Sequence, residues 1–140
     1  MIEKLASQLA VKHLGGSLTA IEPIIGNGEV NKVYVIKSNN LAAVLRVNSL
    51  GEFERFQKES WCTTQSIVAG VRGAKVYEVH TTGNCAYMLI EFIAGSNGSK
   101  IVASPALWEQ LGRYLKLIHG IPVKGFGEKL DDIIRGSNDQ

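Results

Sequence analysis

Several things are scarce in this 140-residue chain. It has two cysteines and three prolines, and aromatic residues make up 7%. Cys62 and Cys85 are too few for a disulfide framework and lack C-x-x-C spacing, so a reduced, cytoplasmic setting is expected. No apolar stretch approaches the roughly 20 residues of a membrane span, and the start, Met1-Ile-Glu-Lys4, lacks the pattern of a signal peptide. There is no basic run either. Fifteen Lys and Arg balance thirteen Asp and Glu to a net +2, and the basic residues are scattered, so neither nucleic acid nor membrane is expected as a partner. What remains, 45% hydrophobic and 20% charged, is the composition of one globular domain with one core.

The patterning gives an order of elements. Residues 2–14 have apolar positions at helical spacing (Ile2, Leu5, Ala6, Leu9), closed by Gly15 and Gly16. Residues 18–25, 30–37 and 41–47 read as strands, joined by Gly26-Asn27-Gly28-Glu29 and Ser38-Asn39-Asn40. Residues 51–69 read as a helix ended by Gly70. A hairpin follows, strand 75–80, turn 81–84 and strand 85–93, the last the most apolar and so expected to be central. After the connector 95–99, Ser104 is an N-cap and Pro105 a first helical residue. Leu107, Trp108, Leu111, Leu115 and Ile118 form the stripe of that helix, and a short helix is expected at 128–135. The sum is an α+β domain: a five-stranded antiparallel sheet with a helix inserted after the third strand, an N-terminal helix and a short C-terminal helical part.

Three segments are candidates for chemistry, and each also has a plain structural reading. Glycines at 26 and 28 let backbone N–H groups approach a phosphate where a Cβ would clash, yet the same turn serves an ordinary hairpin. Arg46 lies inside an apolar strand and Glu59 on the stripe of the following helix with Phe56 and Ile67. Paired, the two would satisfy each other; unpaired, they read as a snorkelling Arg and an exposed Glu. Leu89-Ile-Glu-Phe-Ile93 runs into a Gly-Ser joint whose unpaired backbone groups suit the edge of a flat heterocycle, or simply end a strand. His80 and His119 have no partner at metal spacing, and no Ser elbow marks a hydrolase. His13 and His119 read as helix-end residues, Trp61, Trp108, Tyr114 and the Phe residues as core, and Asp131 and Asp132 as a solvated helix start.

The order of these signals resembles the N-terminal lobe of the protein-kinase-like fold, and in detail the aminoglycoside phosphotransferase family with its fructosamine kinase and choline kinase relatives. The matching segments are Ile25-Gly-Asn-Gly-Glu-Val-Asn-Lys-Val-Tyr34, Val44-Leu-Arg-Val47, Phe56-Gln-Lys-Glu-Ser-Trp61, Met88-Leu-Ile-Glu-Phe-Ile-Ala-Gly95 and the stretch 111–127, together spanning about residues 17–127. The resemblance implies an N-terminal helix (1–16), a nucleotide-binding lobe (17–95), and a linker with the start of a C-terminal lobe (96–140). It implies that Gly26, Asn27, Gly28 and Asn31 form the loop over the ATP phosphates and that Arg46 holds the α- and β-phosphates, where kinases proper use Lys. It implies that Glu59 pairs with Arg46, and that Glu91, Phe92 and Ile93 form the hinge that binds adenine. The implied activity is transfer of the γ-phosphate of ATP, with Mg, to a hydroxyl of an aminoglycoside, a sugar or an amino alcohol. The family's catalytic Asp follows His-Gly, whereas here His119-Gly120 precedes Ile121. The catalytic and metal-binding aspartates are therefore expected in a C-terminal lobe missing from this chain, which reads as a fragment, a truncated gene product or half of a split enzyme. The other reading is a non-catalytic module that binds a nucleotide or a protein. Either way the expected partner is the missing lobe or a second copy.

Overall fold

The computed structural model describes residues 1–26 and 31–136. Helix α1 (Ile2–Leu9) continues as a π-helical turn, Ala10–Leu14, that ends at Gly15 in the left-handed conformation (φ 71°). Strands β1 (Ala20–Ile24), β2 (Lys32–Ser38) and β3 (Leu41–Ser49) form a meander. Its β2–β3 turn places Asn39 at φ 54°, a conformation Asn tolerates. A 3-10 turn (Leu50–Glu52) opens α2 (Phe53–Val68), so the helix read as 51–69 begins two residues later. Strands β4 (Val76–Thr82) and β5 (Cys85–Glu91) follow as a two-residue hairpin with Gly83 at φ 54°. Last come α3 (Pro105–His119), capped by Ser104 Oγ on the Leu107 amide at 3.3 Å, and the short α4 (Leu130–Arg135).

All five strands are antiparallel, in the order β1-β2-β3-β5-β4. The helix α2 carries the chain away from β3, and the hairpin returns β5 to β3's free edge. The middle strand is thus β3. The apolar strand expected to be central, β5, is the next one out, paired on both sides.

Two apolar layers follow from the period-2 alternation of the strands. Ala43, Leu45 and Val47 of β3 face one side with Ile36, Tyr87 and Leu89, where α1 and its π turn supply Leu5, Ala6, Leu9, Ala10 and Leu14. Ala86 and Met88 face the other side and pack on Phe56 of α2, which is 2% exposed. The sheet is therefore sandwiched between α1 and α2. The C-terminal part is held less firmly. Trp108, Phe92 and Phe126, read as core residues, are instead exposed, Trp108 to 64%, and Leu111, Leu115 and Ile118 are exposed beside Trp108, because nothing in the chain packs on that face of α3 among the described residues. The helix α3 touches the rest through its C-terminal end, near Gly70 and the end of α2.

One polar cluster pins α1 to the sheet. The Glu78 carboxylate on β4 receives Lys12 Nζ at 2.5 Å, lies 2.7 Å from His13 Nε2, and accepts the Tyr87 hydroxyl at 2.6 Å. Burial alone would raise the Glu78 pKa, but these hydrogen bonds and the Lys12 charge outweigh it and hold the carboxyl at about 2, against an ordinary 4.5. Tyr87 is pushed up, by burial first and then by the carboxylate it donates to. A carboxyl depressed by folding adds stability above its unfolded pKa and loses it as pH falls to its folded one. We therefore expect Glu78→Gln to cost about 1–3 kcal/mol at pH 7 in urea unfolding. The variant should also lack the part of the parent's stability that is lost between about pH 4.5 and pH 2.

Candidate functional site

The face of the sheet toward α2 carries the candidate residues. On β3, alternation places Val44, Arg46 and Asn48 on this face and Leu45 and Val47 on the other. The ladders put Val33 of β2 and Met88 of β5 on either side of Arg46, and Val35 and Ile90 on either side of Val44. Arg46 thus rises from an apolar floor.

Two groups on α2 receive the guanidinium. Arg46 Nη1 donates to Glu59 Oε1, and the guanidinium carbon stands 5.4 Å from the centre of the Phe56 ring. Phe56 and Glu59 are one helical step apart (i, i+3), so one face of the helix presents both the ring and the carboxylate. Of the two readings of these residues, the pair that the resemblance implies is the one formed. Glu59 was read as pointing inward; its side chain is instead 46% exposed, against 21% for Arg46. The carboxylate reaches the pair from the solvent-facing rim, because Phe56 already fills the space beneath it.

Asn31 lies at the foot of β2. Its side-chain oxygen accepts a hydrogen bond from Asn48 Nδ2 at 2.6 Å. Asn48 shares its face with Arg46, so Asn31, Arg46 and Glu59 line one cavity of about 340 Å³, together with Arg55 and Lys58 of α2. The sequence reading missed Asn48, Phe56 as the partner of Arg46, Arg55 and Lys58. Alternation from Arg46 would have pointed to Asn48. Arg55 and Lys58 give no sequence signal beyond being charged helix residues. A larger cavity, about 600 Å³, lies on the α1 side of the sheet and contains none of the candidate residues.

Of the remaining candidates, Gly26 is exposed and follows the end of β1, whereas Asn27 and Gly28 lie outside the described residues. Glu91 ends β5. Its amide donates to the Lys75 carbonyl at 2.8 Å, and its carboxylate accepts from the Lys75 amide at 3.1 Å, which ties the strand end to the start of β4. Phe92 and Ile93 are exposed, and among the described residues neither makes a backbone hydrogen bond. Beyond α2, Lys58 Nζ donates to the Gly127 carbonyl and Lys129 Nζ is 3.3 Å from Glu54, so residues 120–136 are held against the outer side of α2. Here Asp132 accepts the Lys129 amide at 3.1 Å, and the Asp131 carboxylate is exposed.

No protein-family model and no curated protein matches the chain. Solved structures do share its fold. A protein from Haemophilus somnus 129PT assigned as a fructosamine-3-kinase aligns with a TM-score of 0.68 at 14% identity, over 86% of this chain and 42% of that one. Spectinomycin phosphotransferase APH(9)-Ia, solved with ADP and spectinomycin, aligns with a TM-score of 0.68 at 16% identity, over 86% and 38%. A thermostable mutant of aminoglycoside phosphotransferase APH(4)-Ia, in a ternary complex with ADP and hygromycin B, aligns with a TM-score of 0.61 at 16% identity, over 88% and 43%. The chain spans about two fifths of the length of these structures. It has the fold of the N-terminal lobe of kinase-like phosphotransferases.

The exposure of Glu59 sets how much the ion pair contributes. In a double-mutant cycle of Arg46→Met with Glu59→Gln, followed by urea unfolding, the coupling should be about 0.2–1 kcal/mol, as for other pairs open to solvent. Phe56→Ala should cost about 3–5 kcal/mol in the same assay, because it empties the contact between α2 and the sheet.

Proposed function

We propose that this chain is the ATP-binding lobe of a small-molecule phosphotransferase. In this reading the nucleotide lies along the α2 face of the sheet. Adenine meets the unpaired backbone of Phe92 and Ile93 beside Glu91 and rests on the floor of Val35, Val44 and Ile90. The α- and β-phosphates meet Arg46, and the loop from Gly26 through Asn27 and Gly28 to Asn31 closes over them.

The observation that carries this reading is the placement of Arg46. It is a cation held by a helix carboxylate on an apolar strand, with a free strand end at one side and the Asn31 edge at the other. Ala43 pairs with Glu91, and Arg46 is three residues further along β3. That puts the hinge and the cation about 10 Å apart, the separation between a purine edge and the phosphates of a nucleotide. Glu59 keeps the guanidinium pointed and fixed, so a phosphate meets a positioned charge.

Phosphoryl transfer also needs a base and Mg²⁺ on the phosphates. Among the described residues no group of three His, Cys, Asp or Glu can hold a metal ion. These residues do not fit a magnesium site, and no step through the metal is assigned to them. The base, the metal ligands and the acceptor site are assigned to a C-terminal lobe outside this chain. When joined to it, the lobe would pass the γ-phosphate to a hydroxyl of an aminoglycoside, a sugar or an amino alcohol.

The test is calorimetric titration of the chain with ATP and ADP. Both should bind, and Arg46→Ala should weaken binding about 10- to 100-fold, the loss of one charge-assisted contact to phosphate. Adenosine, which lacks phosphates, should bind the parent and the variant alike. Equal ATP affinity in parent and variant, or no binding by the parent, would remove this reading.

A further inference from the structure

Another cavity lies on the opposite face of the sheet from Arg46. It opens where the first turns of α1 lie over the start of β2 and the end of β3, and it measures about 600 Å³. Its floor is apolar. Ile2 and Leu5 come from the helix and Tyr34 and Val47 from the sheet, all part of, or packed against, the larger core cluster. Its rim is cationic. Lys4 of α1 and Lys32 of β2 both line it, beside Met1, whose terminal ammonium is 3.4 Å from Glu3, and among the described residues no Asp or Glu lines it. Among the described residues neither lysine takes part in an ion pair, whereas Lys12 at the far end of the same helix is bound to Glu78.

We infer that this cavity is a binding site for a small amphipathic organic anion, with an apolar body on the Leu5–Tyr34–Val47 floor and a carboxylate between Lys4 and Lys32. Charge complementarity selects the anionic end, because among the described residues every charged side chain in the lining is a cation. The volume leaves room for an aliphatic chain of medium length. The site is separate from the nucleotide face, since Val47 and Arg46 are neighbours on β3 and alternation sends them to opposite sides. The inference does not depend on nucleotide binding.

The cavity carries its own reporter. Cys85 lines it, while Cys62 lies on α2 across the sheet, and both thiols are free.

The experiment uses octanoate, with 1-octanol as the uncharged control of equal chain length. Titration followed by amide chemical shifts should move Ile2, Leu5, Tyr34, Val47 and Cys85. Octanoate should bind more tightly than octanol and more weakly as salt is raised. Saturating ATP should leave its affinity unchanged. The double variant Lys4→Ala/Lys32→Ala should bind octanoate about tenfold less tightly and octanol equally well. In the parent, octanoate should slow iodoacetamide alkylation of Cys85 and not of Cys62, as read by peptide mass spectrometry. Equal binding of octanoate and octanol, an unaltered affinity in the double variant, or shifts confined to the exposed stripe of α3 would each overturn the assignment.

Discussion

The alternation of side chains along β3 is the constraint on which the structure rests. One strand sends Ala43, Leu45 and Val47 into the layer under α1 and presents Val44, Arg46 and Asn48 to the layer under α2. A slip of one residue would exchange the two sets. It would bury a guanidinium beneath an apolar helix and expose the centre of the core. The register that satisfies the hydrophobic effect therefore also puts the cation on the α2 face. The helix then completes the arrangement with two residues one step apart, a ring against the sheet and a carboxylate at the rim.

The exposure of Glu59 limits what its ion pair adds to stability. An ion pair open to water adds little to stability, and α2 is docked mainly by Phe56 and by the contacts of Ala86 and Met88. What the pair supplies is direction. A long, flexible side chain is confined between a carboxylate and an aromatic face, and under the proposed function this holds its charge in place for a phosphate. Residues 120–136 brace the same helix from its other side, through Lys58 and Lys129.

Much of this was legible in the sequence because the signals were periodic. The five strands and helices α1 to α4 were found, with bounds within two residues once the π turn is counted with α1, whereas the Arg46–Glu59 pair was one of two open readings of a cation inside an apolar strand and an acid on an apolar helix stripe, and it was the resemblance to the kinase-like lobe that implied it. The misses came where a local pattern does not encode its partner. The stripe through Trp108, Leu111 and Leu115 reads as a core face, but periodicity shows only that a face is apolar and not what covers it, and here it is exposed. The apolar run at 85–93 marked an inner strand, yet which strand is central depends on the crossover through α2, a long-range fact. The pin between Lys12, His13 and Glu78 joins residues more than sixty positions apart, and nothing local announces it. The turn residues Asn27 and Gly28 remain known from sequence alone.

The measurement that bears most directly on this account is residue-resolved: amide and side-chain chemical shifts of the chain titrated with ADP. The account predicts that ADP moves Asn31, the Arg46 guanidinium, Glu59 and the backbone amides of Phe92 and Ile93, while Leu5 and Leu9 beneath α1 stay in place. Saturation by ADP with Arg46 and the Phe92–Ile93 amides unmoved, or shifts concentrated on the α1 side of the sheet, would contradict it.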